Sequence, residues 1–60
     1  MRYRIEYAGG KFCDFANSRP HLLELLDLRS SKEITDIRKV YKNGITDSVM
    51  EKYERYIGRR

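Results

Sequence analysis

One cysteine, Cys13, and one histidine, His21, are all the thiol and imidazole chemistry in this chain. A lone thiol cannot close an internal disulfide, which agrees with a reducing compartment. Two such residues cannot complete a zinc site, which takes about four ligands, so no metal is expected. A thiol nucleophile needs a base in reach and a third group to orient it. Cys13 is expected in the core and His21 in a first helical turn, so the two form no dyad. Long apolar runs are also missing. The largest cluster, Leu22-Leu23-Glu24-Leu25-Leu26, falls far short of the ~20 residues that span a bilayer, so no membrane association is expected. Residues 1–20 hold no apolar stretch like that of a secretory signal, and the cytoplasm is the expected location. A glycine-rich phosphate loop is absent, because Gly9-Gly10 opens a strand rather than a helix. The sequence shows no internal repeat, linker or low-complexity stretch.

What is there suits one small domain spanning residues 1–60, near the lower limit for folding without disulfides or metal. Hydrophobic residues make up 40% of the chain, enough to offset chain entropy and argue against disorder. Thirteen basic residues against nine acidic ones leave a net charge of +4. That balance is compatible with nucleic acid, with an acidic partner, or with simple solubility. The signs are interleaved, and no charge block is long enough to be a dedicated basic arm. The acids pattern as partners of nearby bases, Arg4 with Asp14 and Glu51 with Arg55, rather than as a converging catalytic pair. With little volume for an enclosed ligand cavity, the expectation is no enzyme and no cofactor.

Residues 1–7 alternate, with Met1, Tyr3, Ile5 and Tyr7 on one side and Arg2, Arg4 and Glu6 on the other: a half-buried strand. Gly9-Gly10 supplies the positive φ of a tight hairpin, and Lys11 to Ala16 form the second strand. A three-residue loop, Ala8 to Gly10, sets Ile5 opposite Cys13, Tyr3 opposite Phe15 and Arg4 opposite Asp14. A two-residue loop would bring Asp14 beside Ile5 on the core face. The first register is therefore expected, since a slip of one residue turns every side chain over. Asn17-Ser18 signals a helix start and Pro20 is tolerated in the first turn. A helix over about 19–28 follows, with Leu22, Leu25 and Leu26 as its stripe. Residues 33–42 are ambiguous. Ile34, Thr35, Ile37, Val40 and Tyr41 favour a strand, whereas Ile34, Ile37 and Tyr41 also fit a helical stripe, and Ser30 with Glu33 resembles a capping box. A strand is chosen because a lone hairpin is marginal and a third strand makes the sheet viable. Val49, Met50, Tyr53, Tyr56 and Ile57 fall within about 120° on a helical wheel. They define a last helix started by Thr46 or Asp47 and ended by Gly58.

The expected fold is α+β, in the order β-β-α-β-α. Its three-stranded antiparallel sheet runs 2-1-3 after a right-handed crossover, with two helices packed on one face. They would cover Tyr3, Ile5, Tyr7, Cys13 and Phe15, leaving Arg2, Arg4, Glu6, Phe12 and Asp14 on the open face.

Two stretches carry a resemblance. Met1-Arg2-Tyr3-Arg4-Ile5-Glu6-Tyr7 through Asp14-Phe15-Ala16-Asn17-Ser18, and Ile34-Thr35-Asp36-Ile37-Arg38-Lys39-Val40-Tyr41-Lys42-Asn43-Gly44, resemble small proteins encoded on conjugative transposons of low-GC Gram-positive bacteria. The resemblance lies in general texture. It implies a bacterial cytoplasmic protein with an accessory role in a mobile element, and it supplies no catalytic or binding residues.

Two functions fit these residues. The first is a non-catalytic protein-interaction or accessory module using an open sheet face or an edge strand. The alternative is a small DNA-binding regulator contacting phosphates through a basic sheet face, since three-stranded sheets can enter a major groove. The candidate contacts for either are Arg2, Arg4, Phe12, Arg38, Lys39 and Lys42. A protein partner is expected over nucleic acid, because Tyr3 and Tyr7 share a face with Ile5 and are not a base-stacking platform. Nothing in the pattern fixes an oligomeric state.

Overall fold

Strand β1 (Arg2–Tyr7) buries Tyr3, Ile5 and Tyr7 and turns Arg2, Arg4 and Glu6 outward, as the period-two pattern requires. The structure is a computed structural model that describes residues 2–10 and 12–58. Met1, which was expected to head the first strand, lies outside the described residues, as does Lys11. The turn after β1 is closed by the Gly10 amide donating to the Tyr7 carbonyl at 3.2 Å. Gly9 and Gly10 have φ of +93° and +64°, a consecutive pair that only glycine adopts without strain.

Strand β2 (Cys13–Ala16) pairs antiparallel to β1, in a register one residue away from the expected one. Tyr3 stands opposite Ala16, Arg4 opposite Phe15, Ile5 opposite Asp14 and Glu6 opposite Cys13. The slip turns β2 over. Ala16 is fully buried while Phe15 is 40% exposed, and Cys13 is half-buried on the open face rather than in the core. Two features accommodate this arrangement. Ala16 is small where helix α1 (Arg19–Asp27) packs on β2. Asp14 meets the Tyr7 hydroxyl, which donates to its Oδ2 at 2.5 Å, and the Arg29 guanidinium at 3.4 Å. A carboxylate beside the core is tolerated when it is hydrogen-bonded and paired. The expected Arg4–Asp14 pair does not form.

Ser18 caps α1, its Oγ accepting from the His21 amide at 3.3 Å, with Pro20 in the first turn. Leu22 and Leu26, four apart, are fully buried. The Ser30–Glu33 motif is a turn and not a helix start. The Glu33 amide donates to the Ser30 carbonyl, and Ser30 Oγ accepts from the Lys32 amide.

Residues 34–40 form strand β3, antiparallel to β1. Ile5 faces Ile37 and Glu6 faces Asp36, but Tyr7 then faces Ile34. Thr35 is thus the extra residue of a β-bulge, and its hydroxyl donates to the Glu6 carbonyl at 3.2 Å. The bulge places Ile34 and Ile37, three apart, on one buried face. It is the source of the helix-like spacing.

Asn43-Gly44 is a turn as expected, yet it opens another hairpin. The Gly44 amide donates to the Tyr41 carbonyl at 3.0 Å, Asn43 Oδ1 accepts from the Ile45 amide, and Tyr41 and Ile45 pair. Strand β4 (Thr46–Ser48) follows, antiparallel to β3. The sheet therefore has four strands in the order β2-β1-β3-β4, the expected 2-1-3 with one strand added. Thr46 and Asp47 are strand residues, not helix caps. Helix α2 (Met50–Tyr53) is short and passes into a 3-10 turn over Glu54–Tyr56. The Gly58 amide then donates to the Leu26 carbonyl at 3.0 Å, tying this end to α1. Both helices cover the face of Tyr3, Ile5, Tyr7 and Ile37, with Tyr53 edge-on to Tyr3 at 5.8 Å. No helix among the described residues is long and apolar enough to cross a membrane.

Candidate partner-docking surface

The sheet face away from the helices is built by registry. One cross-strand row reads Phe15, Arg4, Arg38 and Ser48; the next holds Cys13, Glu6 and Asp36; the row at the other end holds Arg2, Val40 and Thr46. Two arginines therefore stand side by side next to two carboxylates. Like charges directly opposite destabilise a sheet, and here each arginine is answered along its own strand. Arg4 binds Glu6 Oε2 through Nε at 3.0 Å and Nη2 at 2.7 Å. Arg38 donates from Nη1 to Asp36 Oδ2 at 2.9 Å and from Nε to Thr46 Oγ1 at 2.8 Å.

Asp36 joins β3 to β4. Its Oδ1 accepts from Ser48 Oγ at 2.7 Å and from the Ile37 amide at 2.9 Å. Partial burial pushes its carboxyl upward, but the bonds from Ser48, Arg38 and the Ile37 amide outweigh that and hold it below the ordinary carboxylate range. Arg2 is held differently, its guanidinium lying 4.4 Å over the Phe15 ring, a cation–π contact.

The six candidate contacts are not brought to one surface. Arg2, Arg4 and Arg38 share the open face. Lys39 stands opposite Tyr3 on the helix side, its ammonium 5.5 Å over the Tyr41 ring. Lys42 sits exposed in the Tyr41–Gly44 turn. Phe12, 64% exposed, lies just before β2 with its ring packing on Tyr7 at 5.1 Å, and it lines a hollow with Arg4, Glu6 and Cys13. Phe15, expected in the core, stands on the open face opposite Arg4.

At the end of the sheet where β1 starts and β3 leaves, a hollow of about 470 Å³ is lined by Arg2, Asn17, Val40, Tyr41, Lys42 and Gly44. A shallower one of about 510 Å³ adjoins it through Tyr41 and Lys42 and ends on Asn43 and Ile45. Both are open to solvent, and neither was anticipated from the sequence. Ile45, 58% exposed, is the residue that sequence reasoning missed there.

Cys13 and His21 do not meet. His21 Nδ1 accepts from the Asn17 amide at 3.2 Å on the helix side, while Cys13 is on the open face. Among the described residues no group of three or more His, Cys, Asp or Glu is placed to hold a metal ion. Comparison with known protein families, curated proteins and solved structures found no match. The fold and this surface define a class: a small α+β domain with one helix-covered and one open sheet face.

Proposed function

We propose that this chain is a non-catalytic protein-interaction module, and that its open sheet face receives a protein partner. The observation that carries the reading is the neutralisation of that face. Arg4 and Arg38, the two arginines at its centre, are each bonded to a carboxylate of their own strand. Phosphate binding draws its affinity from unpaired cations that displace counterions, and these two are already engaged. What the face offers outward is an Arg2–Phe15 stack among ion-paired and hydroxyl groups. Arginine and aromatic residues are the types enriched where proteins meet. The resemblance to conjugative-transposon proteins sets this role in the cytoplasm of a bacterium, as an accessory of a mobile element.

Titration with duplex DNA across a salt series tests the choice. Binding through Arg2, Lys39 and Lys42 alone would follow a log–log salt slope of about −2.7 and would be weak at physiological salt. The expected result is no submicromolar duplex affinity at ~150 mM salt. Submicromolar binding there, lost on Arg2→Ala with Arg4→Ala, would establish a DNA-binding regulator instead.

A further inference from the structure

The cations of this protein divide into two kinds. Arg4, Arg29 and Arg38 each have a carboxylate within ion-pair distance. Arg2, Lys39 and Lys42 are in none of these pairs, and nor are Arg19, Lys32, Lys52 and Arg55. Of these, Arg2, Lys39 and Lys42 gather at one end of the sheet. Arg2 and Lys42 line the same hollow, and Lys39 lies over Tyr41, which lines it too. No acidic residue among the described ones lines either hollow. A cleft edged by one sign of charge attracts the opposite sign, and its floor here is apolar, made of Val40, Tyr41 and Ile45. A single exposed isoleucine is ordinary on a protein surface. Joined to a hollow that Arg2 and Lys42 line, Ile45 acquires a use.

We propose that these adjoining hollows are the docking site for an acidic peptide segment of the partner protein, one in which carboxylates alternate with aliphatic side chains. The proposal rests on the protein-interaction reading above and names the partner's chemistry. A carboxylate lies between Arg2 and Lys42, where the planar guanidinium, already oriented by its stack on Phe15, can donate two hydrogen bonds. The neighbouring aliphatic side chain rests on Ile45 and the Tyr41 ring edge. A nucleic acid fits less well. One face of Tyr41 is taken by the Lys39 ammonium, and the seat beyond it includes the aliphatic side chain of Ile45.

The test is an NMR titration of the full chain with a short synthetic peptide alternating Glu and Leu. Three other probes are run beside it: the same peptide with Gln for Glu, the same with Ser for Leu, and a single-stranded oligonucleotide. The expected result is shifts of the Arg2 and Val40–Ile45 amides with the Glu/Leu peptide, and at least fivefold weaker binding of the Gln and Ser peptides. Arg2→Gln and Lys42→Gln should each weaken the Glu/Leu peptide at least threefold, and Ile45→Ser likewise. These positions are exposed, so the variants should fold, which their unchanged remote amide shifts will show. Lys52→Gln, on α2, should leave the affinity as it is. Absence of those shifts, or equal binding of the Gln peptide, would overturn the acidic-segment proposal and leave the protein-interaction reading standing. Tighter binding of the oligonucleotide at the same amides would overturn both.

Discussion

Tyr7 shows how one polar contact settles a register. Its hydroxyl meets Asp14, and burial, followed by this bond to a carboxylate, pushes its pKa up to about 12. A phenol whose folded value lies above its unfolded value of 10.0 contributes stability that is fully present below pH 10. That contribution is lost as the pH climbs through about 12. Tyr7→Phe should therefore lower stability by about 1–2 kcal/mol at neutral pH and flatten the alkaline fall of the denaturation midpoint between about pH 10 and 12. An unchanged midpoint at neutral pH would remove the Tyr7–Asp14 bond as the reason for the register. The same residues explain why the expectation failed. A carboxylate beside Ile5 looks costly when only apolar periodicity is considered, and the partners that make it acceptable, Tyr7 and Arg29, come from elsewhere in the chain.

At the scale of elements, the strongly periodic pieces were legible and the short or irregular ones were not. Strand β1 and helix α1 follow their apolar spacing, and both glycine-marked turns lie where their residues place them. Strand β4 has only Thr46, Asp47 and Ser48; with no apolar alternation it carries no strand signal and read as a helix cap. Its attachment is polar, through Asp36. A carboxyl held below its ordinary range contributes stability above the unfolded value of 3.8, and loses it as the pH falls through the depressed folded value. Ser48→Ala should move the Asp36 carboxyl titration upward, observable by carbon NMR, and acid should release β4 amides to exchange before those of β1. An unmoved titration would show that Ser48 does not hold the carboxylate. The first hairpin has its own test. A Cβ at Gly9 or Gly10 meets no atom within 4 Å, and both positions have positive φ, so the cost of substitution lies chiefly in the backbone. Gly9→Val and Gly10→Val should each destabilise by about 1 kcal/mol or more in chemical denaturation. Two unchanged midpoints would contradict the turn.

Over the whole molecule, the net charge of +4 says less than its arrangement. Sequence spacing could nominate Arg2, Arg4, Arg38, Lys39 and Lys42, but pairing along and across strands decides which remain available. Glu6 and Asp36 engage Arg4 and Arg38 because two-residue spacing on a strand puts both on one face. Lys39 goes to the helix side by the same rule. That sorting needs the register of β3, which the Thr35 bulge hides from any reading of a strict period, and Phe15 reached the open face only through the slip of β2. The molecule that results has a hydrogen-bonded, ion-paired sheet face with an arginine–phenylalanine stack at its edge. Its central claim, that this face meets protein, is tested most directly by placing a photo-crosslinking phenylalanine analogue at position 15 in the producing cell, with the same analogue at Glu24 on α1 as reference. A protease-sensitive adduct formed from position 15 and not from position 24 is the expected result; a nuclease-sensitive adduct from position 15, or equal labelling from both positions, would contradict it.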